Sequence, residues 1–223
     1  MFDNRIWPEG YEFPACDDCN HRTGNDELLV AMLAKVRPAY ETGATTDNFM
    51  ELVAGVRNNH PEVFNSIGML GAAERKRLIR ERGIPVPVGM LPSELPIVSL
   101  RHPAVAAVMD AFAAKLLMAL HYRHTGTILP KTGLITYRWY TNADTRPEAL
   151  DQVLKVLKGS PELRRQTTSL KEQFDYRFAV ESNMRTAAFL VEFATAFYIF
   201  GLTTSDPDTH EWADGVRKLR PFQ

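Results

Sequence analysis

Phe174-Asp-Tyr-Arg-Phe-Ala-Val180 is followed, after Ser182-Asn183, by the run Ala187-Ala-Phe-Leu-Val-Glu-Phe-Ala-Thr-Ala-Phe-Tyr-Ile-Phe-Gly-Leu-Thr203. The reading of these two stretches decides whether the chain mixes sheet with helix or is helical throughout. In the first, Phe174, Tyr176, Phe178 and Val180 alternate with Asp175, Arg177 and Ala179. Period two places one set on one face of a half-buried strand. Ser182-Asn183 supplies a turn. The second stretch reads as two strands broken near Ala194-Thr195, with Phe189, Val191, Phe193, Phe197, Ile199 and Leu202 as its apolar positions. The competing reading is a helix, which its alanines favour.

Upstream, Leu134 to Tyr140 is rich in β-branched and aromatic residues and reads as a further strand. The chain between is helical in pattern. Pro147 to Lys158 is amphipathic, with Leu150, Val153, Leu154 and Leu157 inward and Gly159 at its end. Pro103 to His124 is apolar nearly all round and is stopped by Gly126, as suits a helix inside a core. Leu70 to Arg82 is a charged helix ended by Gly83. The segment Ile84 to Pro92, held out of helix by Pro85, Pro87 and Pro92, marks an internal boundary near 84–92. Thr46 to Asn58 places Phe49, Met50, Val53 and Val56 on one face, and Pro61 to Ile67 adds a turn. A first helix runs from Asn25 to Pro38, with Leu28, Leu29, Met32, Leu33 and Val36 at helical spacing. Residues 1–15 are irregular, and the polar tail from Asp206 docks through Trp212 and Phe222. The expected fold is α+β. An N-terminal segment (1–37) precedes a body (38–223) with a helical middle and a small C-terminal antiparallel sheet of three or four strands.

The chain has 223 residues, 45% of them hydrophobic, and a formal net charge of −1. That length supports a sizeable core. The charge balance exerts no global pull on nucleic acid or anionic membranes, so such a contact needs a local patch. No leader is visible, and Asp110 and Lys115 interrupt the one long apolar run. The expectation is a cytoplasmic protein with no membrane span.

Both cysteines, Cys16 and Cys19, lie in Phe13-Pro-Ala-Cys-Asp-Asp-Cys-Asn-His-Arg-Thr-Gly-Asn-Asp-Glu27. Two thiolates at this spacing can grip one metal ion, and tetrahedral zinc needs four ligands. His21 with a remote histidine such as His60, or a second chain, could complete the set. A redox pair and two idle thiols remain open as readings. This string, with Trp7-Pro-Glu-Gly-Tyr11 before it, resembles the distal half of an HNH endonuclease-like domain over roughly residues 5 to 30. The resemblance implies a ββα-metal fold and metal-dependent cleavage of DNA phosphodiesters. Cys16 and Cys19 would be the second pair of a structural zinc site. Asn20 would be the last ligand of a catalytic divalent ion, present only where the HNH site is complete. No cysteine or histidine precedes Cys16, so the first CxxC and the strand histidine that serves as general base have no counterpart here. The expectation is an HNH-like protein, truncated and catalytically incomplete as written. The alternative is a non-enzymatic binding or assembly protein that retains a metal knuckle.

Arg75, Lys76, Arg77 and Arg80 on one helix are the candidate nucleic-acid contacts, acting by charge alone. Glu74 and Glu81 are interleaved with them, as on an ordinary solvated face. Arg164, Arg165 and Lys171 form a smaller basic set. His121 and His124 lie three apart, which suits one metal, but polar residues at a helix C-terminus also suit the dipole. His60, His102 and His210 read as solvated.

Overall fold

The computed structural model describes residues 6–13, 17–36, 47–95, 97–144, 153–209 and 216–221. The helices are α1 (Asp17–Leu33), α2 (Asp47–Asn59), α3 (Pro61–Ser66), α4 (Ala72–Arg82) and α5 (Pro103–Thr125). The strands are β1 (Leu134–Thr141), β2 (Arg164–Arg165), β3 (Thr168–Ser169), β4 (Asp175–Val180), β5 (Thr186–Phe193), β6 (Phe197–Thr204) and β7 (Arg217–Leu219). The fold is α+β. One antiparallel sheet runs β4-β5-β6-β1-β7, and β2 and β3 make a separate two-residue ladder.

The alternation in sequence sets the faces of this sheet. Phe189 pairs with Gly201 and Phe178, and Gly201 pairs with Tyr137. Ala187, Phe189, Val191 and Phe193 of β5 therefore share a side with Tyr176, Phe178 and Val180 of β4. Ile199 and Thr203 of β6 and Ile135 and Trp139 of β1 lie on that side too. The turn from β5 to β6 passes through Ala194, at φ 48°, whose amide donates to the Gln173 carbonyl. This left-handed conformation costs a residue with a Cβ about 1–2 kcal/mol, against which the bond to Gln173 is set.

Helix α5 lies on that side and buries Val105, Val108, Met109, Ala113, Leu117 and Leu120. Leu117 sits over Gly201, where a Cβ would fall inside the van der Waals envelope of its methyl groups. His102 accepts from the Ala104 amide at one end of α5, and Gly126 closes the other at φ 72°. By length and composition alone α5 would also pass for a membrane span. In the fold its buried side meets the sheet, and α1 packs against it through the Glu27–Lys115 ion pair and an apolar cluster that includes Leu29, Leu33 and Val56.

Several expectations are corrected. α1 begins at Asp17, well before Asn25, so Asn25 and Asp26 lie inside the helix and do not cap it. Met50 faces solvent at 62% exposure while Val56 is buried. Gly159 does not end a helix: it bridges to Phe178 beside β4, where a side chain would strike the Phe178 ring. The sheet has five strands, since β1 joins it and the tail supplies β7. Trp212, Phe222 and His210 lie outside the described residues, as does most of the expected helix from Pro147; a helical turn remains at 153–156.

Gly201→Ala is expected to destabilise the fold by about 1–3 kcal/mol, the usual cost of overpacking a filled core. In denaturant titrations Gly201→Ala combined with Leu117→Ala should lose measurably less than the sum of the two single changes.

Candidate functional site

The cysteine segment leads into α1. Cys16 lies outside the described residues, whereas Cys19, Asn20 and His21 occupy the first turns of α1 as backbone positions. The end of the same helix is immobilised, with Leu29 and Val30 wholly buried. Among the described residues no three His, Cys, Asp or Glu side chains gather as a metal group. His60 is not solvated as expected: its side chain is 12% exposed and lies 3.8 Å from Asp26 of α1 and 4.0 Å from Glu62.

The basic set on α4 is divided by the fold. None of the residues of α4 is fully buried. The loop that carries it closes at its base, where Leu70 N–H donates to Ile97 O and Ser99 N–H to Gly68 O. Lys76 and Arg80, four apart and therefore on one side of the helix, are exposed. Arg77 lies between Glu74 at 3.8 Å and Glu81 at 4.0 Å, and Glu74 also approaches Arg101 at 3.9 Å. Arg75 turns inward, with its Nε buried. Two of the four predicted cations thus remain available to an external phosphate, one is shared with carboxylates, and one is partly withdrawn.

The fold also assembles groups that spacing could not reveal. His121 is wholly buried and its Nδ1 lies 2.9 Å from Thr203 Oγ1. His124, one helical turn on, instead meets Tyr176 OH at 2.8 Å and stacks on Phe178 with ring centroids 3.7 Å apart. The two histidines therefore have separate partners rather than one shared ligand. Tyr176 OH also meets Tyr11 OH at 2.8 Å, and Arg123 lies 4.1 Å over the Tyr11 ring while donating to Gly10 O. This chain of hydroxyls and imidazole fastens residues 6–13 to the end of α5. Desolvation, with the Arg123 charge beside it, pushes His124 down to about 4. Burial also lowers His121 and raises the Tyr176 phenol. Midway along α5, Asp110 accepts from both Arg217 of β7 and Tyr137 of β1. Sequence carried one hint of this, a lone carboxylate in an apolar helix, and none of its partners.

No family model matches the chain, and no curated protein or solved structure matches it.

The depressed histidines give a signed pH dependence. Unfolded histidine titrates near ~6.5, so the unfolded chain binds protons that the folded His124 and His121 refuse. Their stabilisation is complete above about pH 6.5 and falls as the pH drops toward 4, by at most ~1.4 kcal/mol per pH unit for each ring. Thermal or denaturant unfolding across this window should show a shallower decline for His124→Gln, whose amide can still reach Tyr176.

Proposed function

We propose that the protein is HNH-like, with a metal knuckle at Cys16 and Cys19 and a DNA contact on α4. The observation that supports this is a helix that carries the end of the CxxCN string and is anchored in the core by Leu29 and Val30. Two thiolates suit zinc, which would cross-link the segment structurally. Cys16 and Cys19 would hold it, and His21 is the nearest further donor in sequence. For a catalytic divalent ion this chain offers Asn20 alone of the family's ligand pattern and no matching general base. The reading is therefore of a nuclease-related protein without the reaction in these residues, and no hydrolytic step is assigned. The exposed pair Lys76 and Arg80 supports a phosphate contact that is independent of base sequence and weakens with salt.

Metal content and duplex-DNA binding test both parts. Wild-type protein should hold roughly one zinc per chain or per pair of chains, and Cys16→Ser should lose it. Near-zero metal in both would remove the knuckle. Lys76→Glu with Arg80→Glu should weaken duplex binding about tenfold or more at low salt; equal binding by wild type and variant would remove α4 from the account.

A second reading is supported by the other face of the sheet. Tyr140, Ala179, Ala188, Tyr198, Phe200 and Leu202 lie opposite α5 and remain partly exposed. Arg138 and Arg177 end the row through Leu190 and Phe200, and Asp175 and Glu192 stand side by side at one end of the next, which runs through Tyr198 to Tyr140. Burial raises the Glu192 carboxyl above its ordinary range, so an incoming cation would relieve it. A face with an apolar centre and both signs at its margin is self-complementary, and a second copy of this chain is the occupant it fits. Sedimentation should find a dimer that Phe200→Glu converts to monomer without loss of the folded circular-dichroism spectrum. A wild-type monomer at high micromolar concentration would exclude this assembly.

A further inference from the structure

The short β2–β3 hairpin has two differently used faces. Arg165 and Thr168 form one cross-strand pair, and Arg164 and Ser169 form the next, so each pair lies on its own side. On the first side Arg165 stacks over Trp7 at 5.2 Å and donates to Trp7 O. Glu9 fixes the same hairpin twice, through its amide to Arg164 O and through its carboxylate to the Gln166 amide. That second bond holds Gln166 at φ 52°, a conformation that costs a non-glycine residue about 1–2 kcal/mol. Leu163 and Leu170, buried and joined by the Leu170 N–H to Leu163 O bond, pin the base of the hairpin. The hairpin is thus held rigid from behind.

The second side opens on a groove of about 370 Å³ whose lining includes Ser160, Glu162, Arg164, Thr167, Ser169 and Lys171. Three hydroxyls and two cations converge there. Glu162 takes part of the Arg164 charge at 3.1 Å, while Lys171 Nζ reaches the Ser160 hydroxyl at 3.5 Å. Hydroxyl and cationic donors around an open groove match the acceptor-only oxygens of a tetrahedral anion. The surrounding chain is close to neutral overall, so this is a local preference.

We propose that this groove is a binding site for a phosphate group, as free phosphate or as a phosphate monoester, with Arg164 and Lys171 supplying charge and Ser160, Thr167 and Ser169 supplying hydroxyl donors. Glu162 occupies the Arg164 guanidinium in competition with the ligand. The site does not depend on the metal knuckle or on α4.

Titration with inorganic phosphate at constant ionic strength, followed by backbone amide NMR, tests it. Saturable shifts confined to residues around 160–171 are expected. Lys171→Gln and Arg164→Gln should each weaken binding tenfold or more, and Glu162→Gln should tighten it several-fold. The opposite signs separate a site from a change in general charge, and amide spectra confirm that each variant is folded. Equal shifts with matched chloride, no saturation, or the same affinity in wild type and Lys171→Gln would overturn the proposal. Methyl phosphate distinguishes the sources: binding equal to that of phosphate assigns a monoester, and tenfold weaker binding assigns free phosphate.

Discussion

The close approach of α5 to β6 at Leu117 and Gly201 governs the rest of the molecule. A glycine in mid-strand is ordinarily a weak point, since it adds backbone freedom and packs nothing. Here the missing side chain lets a leucine fill the space, and the helix comes close enough for three of its residues to make polar contacts with the sheet. Asp110 meets Arg217 and Tyr137 on one side of Leu117, His121 meets Thr203 on the other, and His124 reaches Tyr176 beyond it. A helix held farther off could not make these bonds, and Asp110 and His121 would be left as desolvated polar groups. The apolar contact and the polar contacts therefore stand together.

The same helix organises the periphery. Its C-terminal end holds the 6–13 segment through Arg123, Tyr11 and the Tyr176–His124 pair. That segment in turn braces the β2–β3 hairpin from behind through Trp7 and Glu9. Two segments without regular packing of their own thus acquire fixed positions by stacking in series on one buried element. α4, by contrast, sits on a loop closed at its base and meets the body through side chains, as where Arg82 lies 3.4 Å from Asp144.

The β4 to β6 meander was legible because period two held through Tyr176 and Phe178 and again through Phe189, Val191 and Phe193. The helix alternative had real support, since Phe189, Phe193 and Phe197 are four apart and would also align on a helix. Val191 and Ile199, β-branched and in phase with the strand pattern, weigh against it. The early start of α1 was hidden because Asn25 and Asp26 mimic a cap within a helix already begun. The basic run on α4 was visible as composition, but its division into outward Lys76 and Arg80, shared Arg77 and inward Arg75 is tertiary. The histidines show the limit most plainly. The spacing of His121 and His124 suggested a shared ligand, and their real partners come from two strands far along the chain, β6 and β4.

The placement of β1 between β6 and β7 has a kinetic meaning. β1 is made early but pairs only with strands made much later, so Leu134 faces Thr204 and Tyr137 faces Arg217. Such long-range pairing is slow, because a large loop must close before any contact rewards it. A chain made from its N-terminus carries β1 and the apolar side of α5 before either strand that pairs with β1. The β4 to β6 meander pairs through short turns, whereas β1 has to reach β6 and β7 across all of the chain between them. Until β6 is made β1 has no long native partner, and this makes β1 the strand most open to mispairing in the nascent chain.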